Sequence, residues 1–209
     1  NIDDVQGTSK ADTIKGDSGD NILYGDGGRD TLTGGAGKDT FSFGNGKWWH
    51  PNIKVSEDGD VIKDFSASDD KIAFDKGILD ASGGNMSLVA VSDFTGGNQI
   101  ISDTRDGIMQ ANVSTSLSNG GVLAYASDTG ELFFSNNGKF DAESPVVALL
   151  EGSPKLTGSN FAIGEASEIT PTVKVTGIQD VDSNKEGDQI GINIAVTGLT
   201  DTEVNAAKV

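Results

Sequence analysis

Glycine and aspartate recur every nine residues near the start of the chain, and this repeat has the clearest chemical meaning. Four consecutive nonapeptides open with Gly7, Gly16, Gly25 and Gly34. The sixth places hold Asp12, Asn21, Asp30 and Asp39. Carboxylate, amide and carbonyl oxygens concentrated in turns are hard ligands, of which Ca²⁺ takes about six to eight. Because Mg²⁺ would demand a tighter octahedron, the spacing predicts calcium binding.

The rest of each nonapeptide supplies the elements that hold those oxygens in place. Glycine at the start of a unit permits positive φ, so the first six residues can form a turn. The eighth places hold one large apolar residue each: Ile14, Leu23, Leu32 and Phe41. The last three residues of a unit therefore form a short strand with that side chain pointing inward. Two units make one coil, and units n and n+2 stack at about 4.8 Å, which predicts a parallel β-roll.

The repeat frame extends in both directions. Nine residues before Asp12 stands Asp3, and Val5 then falls at the eighth place, so residues 1–6 fit the tail of an earlier unit. Nine residues after Asp39 the sixth place holds Trp48 instead of an acid. We therefore predict that the roll covers residues 1–46.

Two alternatives to a calcium-loaded roll remain open at this point. A glycine- and aspartate-rich stretch can be a flexible linker, but linkers do not keep an apolar residue in register over four units. A metal-free solenoid would bury one large apolar side chain per nine residues. That burial is small against an ordering cost of about 1.5 kcal/mol per residue, so a bound cation is favoured.

The nonapeptides resemble the RTX family of repeats, whose unit is written G-G-x-G-x-D-x-U-x with U a large apolar residue. The resemblance implies that stacked turns share each calcium ion through carbonyl and Asp oxygens. It implies a first site built from Gly7, Ser9, Asp12, Asp26, Gly28 and Asp30. It implies a second site built from Gly16, Ser18, Asn21, Gly35, Gly37 and Asp39. We expect the second site to be weaker, because the amide of Asn21 carries no charge.

A segment after the repeats also resembles this family. Asp60-Val61-Ile62-Lys63-Asp64-Phe65, followed by Asp69-Asp70-Lys71-Ile72, is similar to the segment that closes the roll in RTX proteins. The resemblance implies that Asp60 and Asp64 meet the turn of residues 25–30 and complete a site with Gly25 and Gly27. The alternative interpretation is that these carboxylates are solvated acids at strand ends.

The remainder of the chain predicts further β-structure. Short apolar runs separated by turn dipeptides such as Asn137-Gly138 predict antiparallel hairpins, and residues 47–165 are expected to form a β-rich C-terminal module of the RTX part. Residues 166–209 are expected to be a linker plus the start of a further β-sandwich-like domain, truncated at Val209, with the alternative that these strands add to the preceding sheet. Within it, the acidic stretch 180–188 is interpreted as an isolated turn, with a further calcium site as the alternative. The predicted fold class is all-β.

Composition limits the chemistry. The chain has 32 acidic and 15 basic residues and a formal charge of −17, which argues against nucleic acid and anionic membranes as partners. With one histidine and no cysteine, Cys-His catalysis and paired-histidine zinc sites are excluded. No serine lies in an elbow motif, and no apolar run is long enough to insert into a membrane. We predict a non-enzymatic chain that binds several calcium ions.

The leading functional hypothesis is a calcium-binding module of a secreted bacterial protein. The resemblance implies cargo of the type I secretion machinery that folds on Ca²⁺ outside the cell and stabilises the protein there. A first alternative is a structural component of a cell-surface layer, adhesin or filament, in contact with surface polysaccharide or copies of itself. A second alternative is an accessory module of a secreted carbohydrate-active enzyme or protease.

Overall fold

The computed structural model describes seven stretches of the chain, and the structural statements below concern those residues. They are 4–43, 59–75, 86–111, 113, 121–164, 173–179 and 191–196. Trp48, at the predicted end of the repeats, and the predicted acidic turn 180–188 lie outside them. The chain divides into two compact units, Asn1–Glu168 and Ile169–Val209.

The first unit is built almost entirely from strands, which confirms the predicted fold class. The first seven are β1 (Asp4–Gln6), β2 (Thr13–Lys15), β3 (Ile22–Tyr24), β4 (Thr31–Thr33), β5 (Thr40–Phe43), β6 (Asp60–Ile62) and β7 (Lys71–Asp75). The others are β8 (Ser87–Val89), β9 (Gln99–Asp103), β10 (Val122–Ala126), β11 (Glu131–Ser135), β12 (Val146–Leu150) and β13 (Phe161–Gly164). One short α-helix, α1 (Arg105–Met109), follows β9.

The seven N-terminal strands form a parallel β-roll, as the nine-residue period predicts. Successive strands alternate between two sheets, so that β1, β3, β5 and β7 are neighbours in one sheet and β2, β4 and β6 in the other. The register is one coil per two units: Leu23 pairs with Phe41 in the first sheet, and Ile14 pairs with Leu32 in the second. Each strand of the repeats is short because six of every nine residues belong to a turn.

The core of the roll lies between the two sheets. The eighth-place residues Leu23, Leu32 and Phe41 are fully buried, and Ile62 and Ile72 continue the same stack beyond the repeats. Full burial of one such side chain contributes about 1.5–3 kcal/mol. The roll therefore has a continuous but narrow apolar interior.

The second half of the unit extends the same two sheets. Strand β12 pairs in parallel with β6, and the sheet then runs through β11, β10, β9 and β8. The pairs β10–β11 and β11–β12 are antiparallel hairpins, whereas β9 runs parallel to β10 and β8 runs parallel to β9. A second apolar core, which includes Ile108 of α1, covers the outer face of this sheet around Phe133 and Phe140.

The last strand of the unit returns to the roll. Strand β13 pairs in parallel with β7, with Phe161 opposite Ile72. This pairing brings Phe161 and its neighbours, about ninety positions further along the chain, next to the closing turn of the roll, residues 66–70.

The second unit contains one described hairpin. Strands β14 (Val173–Gln179) and β15 (Gly191–Val196) are antiparallel, with an irregular register between Val175 and Ile178. Across the described parts of both units, no helix has the length and apolar character needed to cross a bilayer.

Candidate metal centre

The stacked turns of the roll align the sixth-place side chains in two columns. In each column a backbone N–H donates to the Oδ1 atom of the residue one coil further along. The first column is Asp12, Asp30 and Asp60, with N–O distances of 2.8 and 2.9 Å. The second column is Asn21, Asp39 and Asp70, with distances of 2.9 and 2.9 Å. Carboxylates of like charge therefore lie one coil apart inside the roll.

The middle residue of each column has a carboxylate oxygen without a partner. Asp30 and Asp39 are 0% and 1% exposed, and the Oδ2 atom of each accepts no hydrogen bond. A buried polar atom without a hydrogen bond costs free energy, and a buried charge costs more unless it is paired. These two oxygens are where a positive ligand would stabilise the fold most.

Asp12 and Asp70, each at one end of a column, are satisfied by their own turns. Oδ2 of Asp12 accepts from the backbone N–H and the hydroxyl of Thr8, at 2.6 and 2.8 Å. Oδ2 of Asp70 accepts from the N–H of Ser66 at 2.8 Å. In the turns that hold Asp30 and Asp39, the second-place residues Asp26 and Gly35 adopt left-handed φ values of 73° and 104°. The unpartnered oxygens are thus confined to the middle of the columns.

Burial shifts the titration of four column carboxylates in the same direction. Desolvation raises the pKa of Asp30, and the negative charges of Asp12 and Asp26 raise it further. Desolvation likewise raises the pKa of Asp39 and Asp70, to which nearby carboxylates add. The pKa of Asp60 rises to about 7 because the side chain is buried beside Asp30. A cation between the turns would offset this repulsion and keep the carboxylates ionised.

The opening glycines leave space beside the unpartnered oxygens. A Cβ at Gly25 would overlap Oδ2 of Asp30 and would lie 2.8 Å from Oδ2 of Asp60. A Cβ at Gly34 would overlap Oδ2 of Asp39 in the same way. A Cβ at Gly7 would meet the carbonyl oxygen of Gly25. Carbonyl and carboxylate oxygens therefore surround positions that only glycine leaves open.

The donor set fits calcium. All of these atoms are oxygens, several of them from the backbone, and the carboxylates lie in pairs. Calcium binds such mixed oxygen ligands in irregular geometry. Among the described residues, no three acidic, histidine or cysteine side chains are placed to share one metal ion. A site between these turns is therefore built from carboxylates and carbonyl oxygens together.

The structure brings together the turns predicted for the first two sites. The turn of residues 25–30 lies on the turn of residues 7–12: the N–H of Gly27 donates to the carbonyl of Thr8 at 3.0 Å, and a Cβ at Gly27 would touch Ser9. The turn of residues 34–39 lies on the turn of residues 16–21 in the same way, with Gly37 against Gly19. The remaining predicted ligands, Gly28 in the first pair of turns and Ser18 in the second, belong to these stacked turns. Their role as ligands stays a prediction.

The structure places one predicted residue at a different turn and adds another. Asp60 lies at Asp30, as predicted, but Asp64 does not meet the turn of residues 25–30. Its two carboxylate oxygens accept from the N–H groups of Gly34 and Gly35, at 2.9 and 3.0 Å. Asp60 begins β6 and Asp64 lies two residues beyond its end, so the strand carries Asp64 away from the turn that Asp60 reaches. Asp70 ends the second column as Asp60 ends the first, and it was not among the predicted ligands.

The signal for Asp70 is present in the sequence. Asp60-Val61-Ile62 and Asp70-Lys71-Ile72 repeat the order of acid, any residue and large apolar residue seen in Asp39-Thr40-Phe41. The register confirms that these tripeptides are equivalent, because Thr31 pairs with Val61 and Phe41 pairs with Ile72. A search for this tripeptide alone, without the glycine turn before it, would have identified Asp60 and Asp70 as the next residues of the two columns.

A parallel β-roll whose turns hold paired buried carboxylates has the fold and the oxygen-rich turns expected of a metal-binding solenoid. Comparison with known families matches the RTX calcium-binding nonapeptide repeat to residues 1–32 and 16–47. The chain therefore carries RTX calcium-binding repeats over residues 1–47, which confirms the resemblance in the sequence. No curated protein matches the chain.

One of the solved structures that match the chain covers most of its length. It is the solution structure of the AlgE6R3 subunit from the Azotobacter vinelandii mannuronan C5-epimerase, at 19% sequence identity and a TM-score of 0.36. The match covers 91% of this chain and 92% of that one. At that TM-score the likeness supports no conclusion about this chain.

Proposed function

We propose that the roll binds several calcium ions between its stacked turns and that this binding completes its folding. The observation that carries the proposal is the pair of fully buried Oδ2 atoms on Asp30 and Asp39 that accept no hydrogen bond. In this proposal the sites are the two predicted from the sequence and the closing positions at Asp30 with Asp60 and Asp39 with Asp70. When bound, calcium supplies positive charge and accepts oxygen ligands in place of water.

Different residues of the chain have different roles in such a site. Oδ1 of Asp30 and Oδ1 of Asp39 each accept a backbone N–H, which fixes the carboxylate plane and leaves Oδ2 of both residues to bind the ion. Asp64 holds the turn at Gly34 through two backbone N–H groups. The glycines keep the space beside the carboxylates open. The coils also exclude water, because both middle carboxylates are inaccessible to solvent.

The proposal extends to where the protein works. At low calcium the columns of carboxylates repel each other, which destabilises the roll and favours an unfolded form of the roll suited to passage through the type I secretion machinery. Outside the cell, binding becomes folding. A site with Kd of about 10⁻⁴ M in millimolar calcium stabilises the fold by roughly 1.4 kcal/mol. Several such sites supply a total comparable to the stability of a small domain, so the module acts as an extracellular stabilising element.

A calcium titration with two matched variants tests this function. Asp30→Asn and Asp17→Asn remove the same charge from the same roll, and both side chains accept a backbone N–H through Oδ1. Asp30→Asn is expected to weaken calcium binding about tenfold, or 1.4 kcal/mol, whereas Asp17→Asn should change it less than twofold. Isothermal titration calorimetry measures the binding, and far-ultraviolet circular dichroism follows strand formation.

The change in stability without calcium provides a second test. Without calcium, Asp30→Asn should stabilise the chain against urea, because it removes a buried charge. Asn at this place is compatible with the fold, since Asn21 already occupies the sixth place of another unit. Strand signal that is identical in EGTA and in millimolar calcium, or equal losses of affinity in the two variants, would refute the proposal.

A further inference from the structure

Asn160 is a buried amide that joins the end of the first unit to the closing turn of the roll. It is 3% exposed and lies in the 3₁₀ turn Gly158–Asn160 directly before β13. Its Nδ2 group donates to the carbonyl oxygens of Ala67 and Asp70, at 2.9 and 3.1 Å. These bonds link residues about ninety positions apart in the chain.

The two acceptors belong to the turn that orients Asp70. Oδ2 of Asp70 accepts from the N–H of Ser66, and the N–H of Asp70 donates to the carbonyl of Ser66, both at 2.8 Å. Oδ1 of Asp70 accepts from the N–H of Asp39. Residues 66–70 contain no glycine, so this turn is held in a different way from the turns of the repeats. The Asn160 amide spans the turn from its second residue to its last.

The orientation of the Asn160 amide is fixed from the other side. Its Oδ1 atom accepts from the N–H of Thr157 at 2.9 Å and from the hydroxyl of Thr157 at 3.2 Å. The Nδ2 group is therefore directed at the roll. Only an amide satisfies both sides, since a carboxylate at this position could still accept from Thr157 but would repel the two carbonyl oxygens.

We propose that Asn160 is a positioning residue for the calcium site at the end of the second column. It acts through the turn of residues 66–70 and sets the orientation of Asp70 toward Asp39. This inference rests on the proposed function, because it assigns the segment before β13 a role in calcium binding by the roll. The second column is then complete only when residues 157–164 have docked, whereas the first column ends at Asp60 and β12.

A residue-specific calcium titration of the full chain tests this assignment. Amide NMR signals of Asp30 report the first column and those of Asp39 report the second, because each N–H donates to the closing carboxylate of its column. Asn160→Asp should weaken calcium binding at the Asp39 signal roughly tenfold, because both hydrogen bonds from Nδ2 to the turn of residues 66–70 are lost. The Asp30 signal should change less than twofold.

Asn137→Asp is the matched control. It makes the same chemical change in the turn between β11 and β12, where Oδ1 of Asn137 accepts from the N–H of Lys139. It should leave both columns unchanged, so that any effect of an added negative charge is measured separately. If Asn160→Asp does not fold in saturating calcium, Asn160→Gln keeps the donor group with a displaced position and should give a smaller loss confined to the Asp39 signal.

A double variant separates positioning from general stability. If Asn160 acts through Asp70, then Asn160→Asp combined with Asp70→Asn should bind calcium no more weakly at Asp39 than Asp70→Asn alone. Additive losses, or equal losses at Asp30 and Asp39, would overturn the inference while leaving the proposed function intact. Absence of any calcium response in the unsubstituted chain would instead overturn the proposed function.

Discussion

The roll and the strands that follow it share one sheet but are stabilised in different ways. In the roll each short strand contributes one large apolar side chain, and the adjoining turns bury carboxylates of which two oxygens have no partner. In the later part of the sheet, strand β10 is buried along its whole length. Tyr125 on β10 donates its hydroxyl proton to the carbonyl of Pro154 at 2.7 Å. Under the proposed function, the roll therefore depends on a bound cation and the later part of the sheet does not.

The difference lies in how each region deals with polar groups. The described ion pairs belong to the second half or to its junction with the roll, as between Lys63 and Glu151 and between Arg105 and Glu131. Arg105 also lies 5.9 Å from the centre of the Phe133 ring. These charges are partly exposed and contribute little each. The middle carboxylates of the columns, Asp30 and Asp39, are fully buried, so their free-energy cost is large unless a counter-charge is bound.

The largest expected effect is a regional difference in hydrogen exchange on calcium removal. Amides of β3, β4 and β5 should exchange at least about 100-fold faster in EGTA, which corresponds to the loss of about 2.7 kcal/mol of ligand stabilisation. Amides of β10 and β11 should keep most of their protection. Mass spectrometry of deuterium uptake measures both regions in one sample.

Magnesium is the control for that experiment. Because Mg²⁺ dehydrates reluctantly and requires near-octahedral geometry, millimolar magnesium should leave the roll strands unprotected. A uniform rise in exchange across β3–β5 and β10–β11 would show that the two regions unfold as one unit and depend on calcium equally.

The sequence predicts the roll well because its contacts are periodic. A nine-residue repeat with one apolar place determines strand length, register and the pairing of Asp12 with Asp30. Beyond residue 46 the nine-residue period ends. The last residues of the columns can then be recognised only by the tripeptide of acid, any residue and large apolar residue that begins at Asp60 and at Asp70. The sequence predicted Asp64 at the turn of residues 25–30, whereas the structure places it at the turn that begins with Gly34. Asp64 lies just beyond β6, and the sequence does not show which neighbouring turn a carboxylate at that position reaches.

The residues that complete the site from a distance have no sequence signal of this kind. The contact between Asn160 and the closing turn depends on β13 returning to β7, which follows from long-range strand pairing. The order of β12, β11, β10, β9 and β8 is equally non-local, and several of its pairs are parallel. Hairpin signals such as Asn137-Gly138 predict only the neighbouring antiparallel pairs, here β11 with β12.

A smaller effect is expected from pH in calcium-free protein. The pKa of Asp60 is about 7 in the folded chain against an ordinary value of 3.8, chiefly because of burial. The folded form thus binds the proton more tightly than the unfolded form. This contribution to stability is fully present below the ordinary pKa and is lost as pH rises from about 4 through 7. Urea midpoints in calcium-free buffer should therefore rise as pH falls across this window.

Two controls define the source of the pH effect. Asp60→Asn removes the titrating group and should flatten the dependence. Saturating calcium should reverse it, because protons then compete with the ion for the carboxylates. A calcium-free midpoint that falls steadily from pH 7 to pH 5 in the unsubstituted chain would contradict the burial of a charged column.

The smallest expected effect comes from the region that does not depend on calcium. Tyr125→Phe removes a hydrogen bond to the carbonyl of Pro154 and leaves the buried ring in place, so the free energy of unfolding should fall by about 1 kcal/mol. The loss should be equal in calcium and in EGTA, because Tyr125 belongs to the sheet beyond the roll. Chemical denaturation under both conditions measures it, with unfolding followed by a probe in β10 or β11. A loss that appears only with calcium bound would mean that the ions stabilise the whole sheet, and the two regions would then have to be treated as one cooperative structure.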